Sequence, residues 1–279
     1  MNASHDTLFG HSLSRRTWLG SVLCAAWGTS DAHGAAPKQN GIVTAVPILV
    51  YHRFGETAVD SMTVRTQRFD AHLDTLEKLG AHIIPLSDWV AFRRGERTHL
   101  PDRAVVLTAD DGHRSQADVL LPRLQKRGWP VTLFIYPSAI SNARYAMTWD
   151  QLRQASQQAG VSIQSHTYWH PNLVRDRRTM DAAAFEQAAR MQLHRPREVL
   201  RQKLGVEADL LAWPFGLSDA GLQNMAEAEG YRAAFALENR SALLSAPLYA
   251  VPRHLMVDSV DEHELARRLQ RAFALPTPE

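Results

Sequence analysis

Two aspartates stand side by side directly after an apolar run in the stretch VVLTADDGHRS. Asp110 and Asp111 repel each other when both are ionised, and a position at the rim of a buried strand adds a desolvation cost. A divalent cation would offset both effects, because coordination by Asp111 neutralises its charge locally. Asp110 could then stay ionised beside the ion and act as a general base toward water. The pair therefore predicts a metal-assisted hydrolytic centre, provided that further ligands lie close by.

Two histidines are the candidates for those further ligands. His166 and His170 lie four residues apart in SHTYWHPNL, directly after the apolar run VSIQS. Pro171 disfavours a helix at His170, so we place the pair at a strand end that runs into a loop. One carboxylate and two imidazoles make up the three protein ligands of a catalytic zinc, which keeps a further position open. Zinc is the predicted metal, and this donor set also suits cobalt, nickel or iron.

Each motif alone has a simpler interpretation. An isolated Asp-Asp-Gly is commonly a solvated turn, and two histidines at this spacing commonly make unrelated hydrogen bonds. Both motifs here follow apolar runs, AVVLT and VSIQS, at the carboxyl ends of predicted strands. That shared placement favours the metal site.

The elements that must position these residues form a regular series. Apolar runs alternate with amphipathic segments after about residue 40, giving six or seven strand–helix units, and residues 181–204 indicate a helix broken near Pro196. The series predicts a parallel sheet, and about 240 residues without a composition break favour a single closed or nearly closed α/β barrel. A doubly wound open sheet is the alternative, weakened because no Gly-rich phosphate loop follows the first strand, VPILVY. In a barrel, polar groups that follow VPILVY, AVVLT, VSIQS and LLA would meet at one face.

The first 36 residues have the pattern of an export signal and a short linker, which leaves residues 37–279 as one domain. Arg15 and Arg16 precede the apolar stretch WLGSVLCAAW, and small residues with AHGAAP follow. This order is typical of a cleaved signal, and the arginine pair indicates the twin-arginine route, with the general secretory route as the alternative. The apolar stretch is short for a membrane span. We expect an exported protein, periplasmic or secreted, with no stable membrane span after signal removal.

Composition narrows the class further. The chain has 279 residues, of which 45% are hydrophobic, so a packed core is expected. Its net charge is +2 and it has no basic run with interleaved aromatics, which argues against nucleic acid as a partner. Cys24 is the only cysteine and lies inside the predicted signal, so a metal site in the mature chain would use oxygen and nitrogen ligands.

Three motifs taken together resemble a known family. LTADDG, SHTYWHP and AWPFG, in this order, resemble the motifs of the polysaccharide deacetylases of carbohydrate esterase family four. The opening PILVYHRFG is similar to the branch of exported poly-β-1,6-N-acetylglucosamine deacetylases, and the resemblance spans about residues 46–255. It implies a single distorted (β/α) barrel with about seven parallel strands. It also implies an enzyme that hydrolyses N-acetyl groups of an amino-sugar polymer, an exopolysaccharide or peptidoglycan, and releases acetate.

The resemblance also implies a role for each candidate residue. Asp110 matches the general base, and the matched metal ligands are Asp111, His166 and His170. His52 matches the general acid of the exported branch, and His254 in VPRHLM is a rival for that role. The segment that walls the substrate groove and packs against a sugar ring is matched by Trp213, Pro214 and Phe215.

Two positions depart from the family pattern. Ala109 stands where the first motif usually has phenylalanine, and no arginine precedes the aromatic–proline step in LLAWPFG. These departures keep open a non-catalytic carbohydrate-binding protein of the same fold, which would bind sugar and release no acetate. A glycosidase built on Asp110 is a second alternative, but it needs a partner carboxylate, and no comparable acid follows another predicted strand.

Overall fold

Short strands alternate with helices along residues 45–274, the part of the chain that the computed structural model describes. The strands are β1 (Ala45–Val46), β2 (Ile48–Tyr51), β3 (Arg53–Gly55), β4 (Thr63–Arg65), β5 (His82–Ile83), β6 (Ala104–Asp110), β7 (Val131–Ile135), β8 (Val161–Ser165), β9 (Leu210–Ala212), β10 (Ala233–Phe235), β11 (Ala242–Leu243) and β12 (His254–Leu255). The helices are α1 (Thr66–Lys78), α2 (Leu86–Arg93), α3 (Leu121–Arg127), α4 (Trp149–Ser156), α5 (Leu173–Thr179), α6 (Ala182–Leu204), α7 (Ala220–Ala228) and α8 (Glu262–Phe273). A π-helical turn over Gln116–Leu120 leads into α3, and a 3-10 turn over Pro214–Gly216 follows β9.

The main sheet is parallel throughout and curls on itself. Seven of its strands follow the order β10-β9-β8-β7-β6-β2-β12, and β5 pairs with the first two residues of β6. The chain just before β12 brings the two ends together, because Val251 pairs in parallel with Phe235 while β12 pairs with β2. These seven parallel strands form the predicted distorted (β/α) barrel, which confirms the fold class and excludes the open doubly wound sheet.

Apolar side chains pack the barrel and fix the helices around it. All seven residues of β6 are buried between β2 and β7, which explains its unbroken apolar sequence. Helix α1 buries Phe69, Leu73 and Leu76, at the helical spacing seen in the sequence. Helix α6 runs unbroken through the buried Pro196, so the predicted break at this residue is wrong.

The strand ends supply the candidate site. Because β2, β6, β7, β8 and β9 run parallel, the residues that directly follow them lie at one end of the barrel. These residues are His52, Asp111, Tyr136, His166 and Trp213. The predicted export signal lies outside the described residues. Within residues 45–274, no helix has the length and apolar character to cross a membrane.

Candidate metal and catalytic centre

The two aspartates take different positions at the end of β6. Asp110 is the last residue of the strand and its side chain is buried, whereas Asp111 has left the sheet with a φ of 76°. Gly112 follows with a φ of 66°, and a Cβ there would come within 2.9 Å of the Ile135 side chain. Glycine is therefore required for the turn that lifts the Asp111 carboxylate over the barrel end.

Asp111, His166 and His170 converge on one point. Their ligand atoms lie within 4.8 Å of one another. His166 Nε2 and His170 Nε2 are each 3.6 Å from Asp111 Oδ1. The two imidazole rings meet edge to face, with centroids 4.7 Å apart. The structure thus brings together the three side chains that the sequence predicted as ligands.

Hydrogen bonds prepare this group for a cation. His166 Nδ1 lies 2.7 Å from the carbonyl oxygen of Ala212. A carbonyl only accepts, so Nδ1 carries the proton and Nε2 presents its lone pair toward Asp111. Asp111 Oδ1 is buried and has no hydrogen-bond partner among the described residues. An unpaired buried carboxylate oxygen is costly, and a divalent cation such as zinc would satisfy it, so the residues fit the predicted metal.

The loop between the two histidines is strained and tied down. Thr167 has a φ of 62° and His170 a φ of 58°, values that cost non-glycine residues of the order of 1–3 kcal/mol each. Gln192 of α6 offsets this cost, because its buried side-chain oxygen accepts from the backbone N–H groups of Tyr168 at 3.1 Å and Trp169 at 2.8 Å. Thr167 Oγ1 accepts from the N–H of His170 at 3.2 Å. Helix α6 therefore holds the ligand loop in a shape that the loop alone would not favour.

A buried arginine pairs with Asp110. Arg253 donates to both carboxylate oxygens, at 2.8 Å and 2.7 Å, and both side chains are fully buried. Burial by itself would raise the pKa of Asp110, but the charge of Arg253, assisted by His166, outweighs it and holds that pKa at about 2. The carboxylate is therefore ionised and oriented, with Oδ2 4.0 Å from His166 Nε2. The aromatic–proline motif lacks the family arginine, and nothing in VPRHLM indicates that Arg253, next to the candidate His254, pairs with Asp110.

His52 directly follows β2 at the same end of the barrel as the two aspartates. Burial lowers its pKa, and the charges of Asp110 and Asp111 oppose this shift. Its Nδ1 is buried without a partner among the described residues. Gln116, in the π-helical turn, donates from its side-chain amide to the carbonyl oxygens of both His52 and Asp110, at 2.9 Å and 2.5 Å. One side chain thus fixes the ends of β2 and β6 relative to each other.

His254 faces another part of the molecule. Its Nε2 lies 3.1 Å from the Ser241 hydroxyl, and it lines a cavity with Glu264 and Arg268 of α8. Burial and the charge of Arg268 lower its pKa to about 4. Arg253, one residue earlier, points at Asp110 inside the barrel, so strand alternation directs His254 outward. The structure does not bring His254 to the Asp110 carboxylate.

The aromatic–proline segment divides between core and surface. Trp213 is fully buried and donates from its indole N–H to the Tyr249 carbonyl oxygen at 2.9 Å, and Pro214 is also buried. The prediction that these two side chains wall a groove is therefore corrected, because neither presents a surface to a sugar. Phe215 is 54% exposed and its ring centroid lies 4.8 Å from that of His170. Of the three, only Phe215 borders the site.

A parallel barrel that gathers two carboxylates and several imidazoles at its strand ends has the layout of a barrel hydrolase. Residues 97–234 match the family model described as polysaccharide deacetylase. The chain therefore carries a polysaccharide deacetylase domain over these residues, as the motifs predicted.

Sequence relatives carry related names. The poly-β-1,6-N-acetyl-D-glucosamine N-deacetylase of Escherichia coli K12 is 26% identical over 266 residues, covering 82% of this chain and 38% of that protein. The putative polysaccharide deacetylase YxkH of Bacillus subtilis is 23% identical over 208 residues, covering 75% of this chain and 70% of its own length. This chain thus spans well under half of the E. coli relative that it matches.

Solved structures share the fold. The Streptococcus pyogenes deacetylase PplD, in complex with acetate, superposes with a TM-score of 0.70 at 21% identity, covering 81% of this chain and 98% of that one. IcaB from Ammonifex degensii gives a TM-score of 0.69 at 20% identity, covering 82% of this chain and 98% of that one. At these identities the likeness is one of fold.

Proposed function

We propose that this protein is a divalent-metal-dependent N-deacetylase that removes acetyl groups from an N-acetylglucosamine-containing polysaccharide and releases acetate. One observation carries the proposal. Asp110 is buried, ionised and held by Arg253, and its Oδ2 lies 4.0 Å from His166 Nε2. His166 and His170 both face Asp111 Oδ1, which has no hydrogen-bond partner among the described residues. An ionised base beside a set of metal ligands is the arrangement that metal-assisted hydrolysis of an amide requires.

The names of the relatives support the substrate class. The E. coli relative is named for poly-β-1,6-N-acetyl-D-glucosamine, and so is a Staphylococcus aureus relative that is 19% identical over 222 residues. The shared family and the exposed Phe215 beside the site are compatible with such a polymer. We extend the substrate class to this chain as a proposal, with peptidoglycan as the other polymer to be tested.

Asp111, His166 and His170 are the residues that would hold the metal. When bound there, a divalent cation would supply Lewis acidity toward the acetamide carbonyl and toward a water molecule. Asp110 takes the proton from that water as it attacks the carbonyl carbon. Arg253 keeps Asp110 ionised before the reaction and fixes both of its oxygens, so the base does not need to reorganise.

His52 supplies the second proton transfer. The C–N bond breaks only if the departing sugar nitrogen is protonated, because an amide anion is far too basic to leave. His52, as imidazolium, gives its Nδ1 or Nε2 proton to that nitrogen. The negative charge of Asp110 helps His52 to hold its proton, so protonation of Asp110 in the first step makes His52 a stronger acid in the second.

Acetate release tests the function. Purified protein would be assayed with β-1,6-linked N-acetylglucosamine oligomers, chito-oligosaccharides and peptidoglycan, with zinc and with a chelator. We expect zinc-dependent acetate release from at least one of them and almost none from Asp110→Asn protein that has retained its metal. Oligosaccharide binding without acetate release in any metal would instead support the non-catalytic alternative that Ala109 keeps open.

A second comparison tests the general acid. His52→Gln should lower kcat by about 10²–10⁴-fold, the usual contribution of a positioned proton donor. His254→Gln is the matched control and should leave kcat within about twofold, because its side chain faces α8. The reverse ranking would transfer the acid role to His254.

Export is part of the proposal. The arginine pair, the short apolar stretch and the small residues of the first 36 positions support a cleaved signal. An extracellular or periplasmic polymer is reachable only from that side of the membrane. Fractionation of cells that express the full chain would locate it, and Arg15→Lys with Arg16→Lys should retain it in the cytoplasm if the twin-arginine route is used.

A further inference from the structure

Tyr145 presents an exposed aromatic ring next to the proposed catalytic turn. Its side chain is 42% exposed. Its backbone is fixed to the Asp-Asp-Gly-His turn, because Tyr145 O accepts from the N–H of Arg114 and Met147 donates its N–H to Gly112 O, both at 2.8 Å. His113 and Ala146 form a bridge between these two bonds. The ring is therefore carried by backbone that is rigidly attached to the residues beside Asp110 and Asp111.

Two contacts orient the Tyr145 ring. It lies parallel to the imidazole of His113, with 7° between the planes and 6.1 Å between centroids. Its hydroxyl hydrogen-bonds the hydroxyl of Tyr136. The centroid of the Tyr136 ring lies 5.2 Å from that of the proposed metal ligand His170. Tyr136 therefore contacts both Tyr145 and His170. The exposed Tyr145 ring is thus separated from the proposed metal ligand His170 by one aromatic side chain, that of Tyr136.

The imidazole of His113 adds a polar group with a fixed hydrogen-bond direction beside the Tyr145 ring. The backbone N–H of Ser115 donates to His113 Nδ1 at 3.2 Å, and the Ser115 hydroxyl lies 2.8 Å from the same atom. That hydroxyl accepts from the Phe54 N–H at 2.9 Å and so directs its own hydrogen at Nδ1. With Nδ1 acting as an acceptor, the neutral ring carries its proton on Nε2, and no described residue accepts from that N–H. A hydrogen-bond donor therefore remains beside the ring of Tyr145.

We propose that Tyr145 and His113 form a second sugar subsite, which binds the hexopyranose unit adjacent to the unit that is deacetylated. This inference rests on the proposed function. The C–H face of a pyranose packs on an aromatic ring, and its hydroxyl or acetamide oxygen accepts from an N–H at the ring edge. The ring is pre-positioned by its backbone and hydroxyl bonds, so binding costs little side-chain entropy. The subsite makes the enzyme prefer a polymer over a single sugar.

Oligomer length tests the subsite. N-acetylglucosamine and its β-1,4-linked and β-1,6-linked pentamers would be compared as substrates, and Asp110→Asn protein would be used to measure pentamer affinity by calorimetry without turnover. Tyr145→Ala should weaken pentamer binding about tenfold and lower the ratio of kcat/KM for pentamer over monomer by a similar factor. Tyr145→Phe keeps the ring and should retain most of the preference. Met180→Ala, which removes another exposed apolar side chain, is the control and should leave the ratio unchanged.

The outcomes separate this inference from the proposed function. Acetate release with a length preference that Tyr145→Ala does not alter would overturn the subsite and leave the deacetylase intact. Pentamer binding that depends on Tyr145, without acetate release from wild-type protein, would overturn the catalytic proposal and keep the subsite. Failure of both pentamers to bind Asp110→Asn protein would overturn the subsite.

Discussion

The pairing of Arg253 with Asp110 is the feature of single residues on which the proposed chemistry most depends. A carboxylate buried in the barrel would take up a proton if it stood alone, and it could not then act as a base. The guanidinium reverses that tendency with two parallel hydrogen bonds, a geometry that lysine cannot reproduce. The arginine that the aromatic–proline motif lacks is thus matched by Arg253, which lies further along the chain.

Replacement of Arg253 should change the pH dependence of the reaction. In Arg253→Met, burial acts on Asp110 without the opposing charge, so its pKa rises and the acidic limb of kcat/KM should move to higher pH by about 1–3 units. The variant should also lose about 3–5 kcal/mol of unfolding free energy, because a buried charge is left unpaired. Steady-state kinetics across pH and urea unfolding would measure the two effects.

The double variant is the control for this residue. Asp110→Asn combined with Arg253→Met removes both charges and should recover much of the stability that Arg253→Met loses. An acidic limb that stays in place in Arg253→Met would show that Asp110 is ionised for another reason.

At the scale of elements, the ligand loop depends on α6. The loop carries His170 in a left-handed backbone conformation, and its amide groups are held by Gln192 from a helix that supplies no ligand itself. Metal binding therefore requires the helix to be correctly packed on the barrel.

Gln192 should influence metal affinity without touching the metal. Gln192→Met has a similar size and lacks the acceptor, so the loop should relax and zinc affinity should fall about 10–100-fold, the usual effect of losing an outer-shell partner. Gln192→Glu keeps the acceptor and should stay close to wild type. Zinc titration against a chromophoric chelator measures both variants, and equal affinities would mean that the loop holds its shape unaided.

The strand ends also explain why only part of the site could be predicted from the sequence. Strand ends were recognisable from apolar runs, and a parallel barrel brings strand ends together, so Asp110, Asp111, His166 and His170 could be predicted to meet. The assignment of inward and outward side chains could not be made. Arg253 and His254 are neighbours, and a shift of one residue exchanges which of them enters the barrel. Arg253 directly precedes β12, which is only two residues long and shows no alternation to fix that choice.

Trp213 and Phe215 show a related limit. Both are large aromatic residues after the same strand, and either type could border a sugar. Phe215 reaches the surface because its backbone has a φ of 59° and Gly216 follows with a φ of 70°, while Trp213 finds a carbonyl partner for its N–H in the interior. Neither the backbone reversal nor the interior partner is visible in WPFG.

For the whole molecule, the buried His254 makes the free energy of unfolding depend on pH. His254 has a pKa of about 4 in the folded protein, below its ordinary value of 6.5, because burial and Arg268 disfavour its charged form. The unfolded chain therefore binds more protons between these two values. The stability that follows from keeping His254 neutral is fully present above pH 6.5 and declines as the pH falls toward 4.

Replacement of His254 should reduce the stability that is lost at low pH. His254→Gln can still hydrogen-bond Ser241 and does not titrate. The decrease in unfolding free energy between pH 7.5 and pH 4.5 should therefore be smaller than in wild type, by about 2–3 kcal/mol. Urea unfolding at the two pH values provides the comparison, in which the other titrating groups largely cancel. An equal decrease in both proteins would contradict the account of His254.

The proposed chemistry depends on a single cation held by one carboxylate and two imidazoles. Its most direct test is the zinc content of wild-type protein, Asp110→Asn and Asp111→Ala after equilibrium dialysis, measured by mass spectrometry of the metal. We predict one zinc per chain in wild type and Asp110→Asn, and loss of nearly all of it in Asp111→Ala. Wild-type protein that retains no divalent metal, or Asp111→Ala that retains a full equivalent, would contradict the central claim.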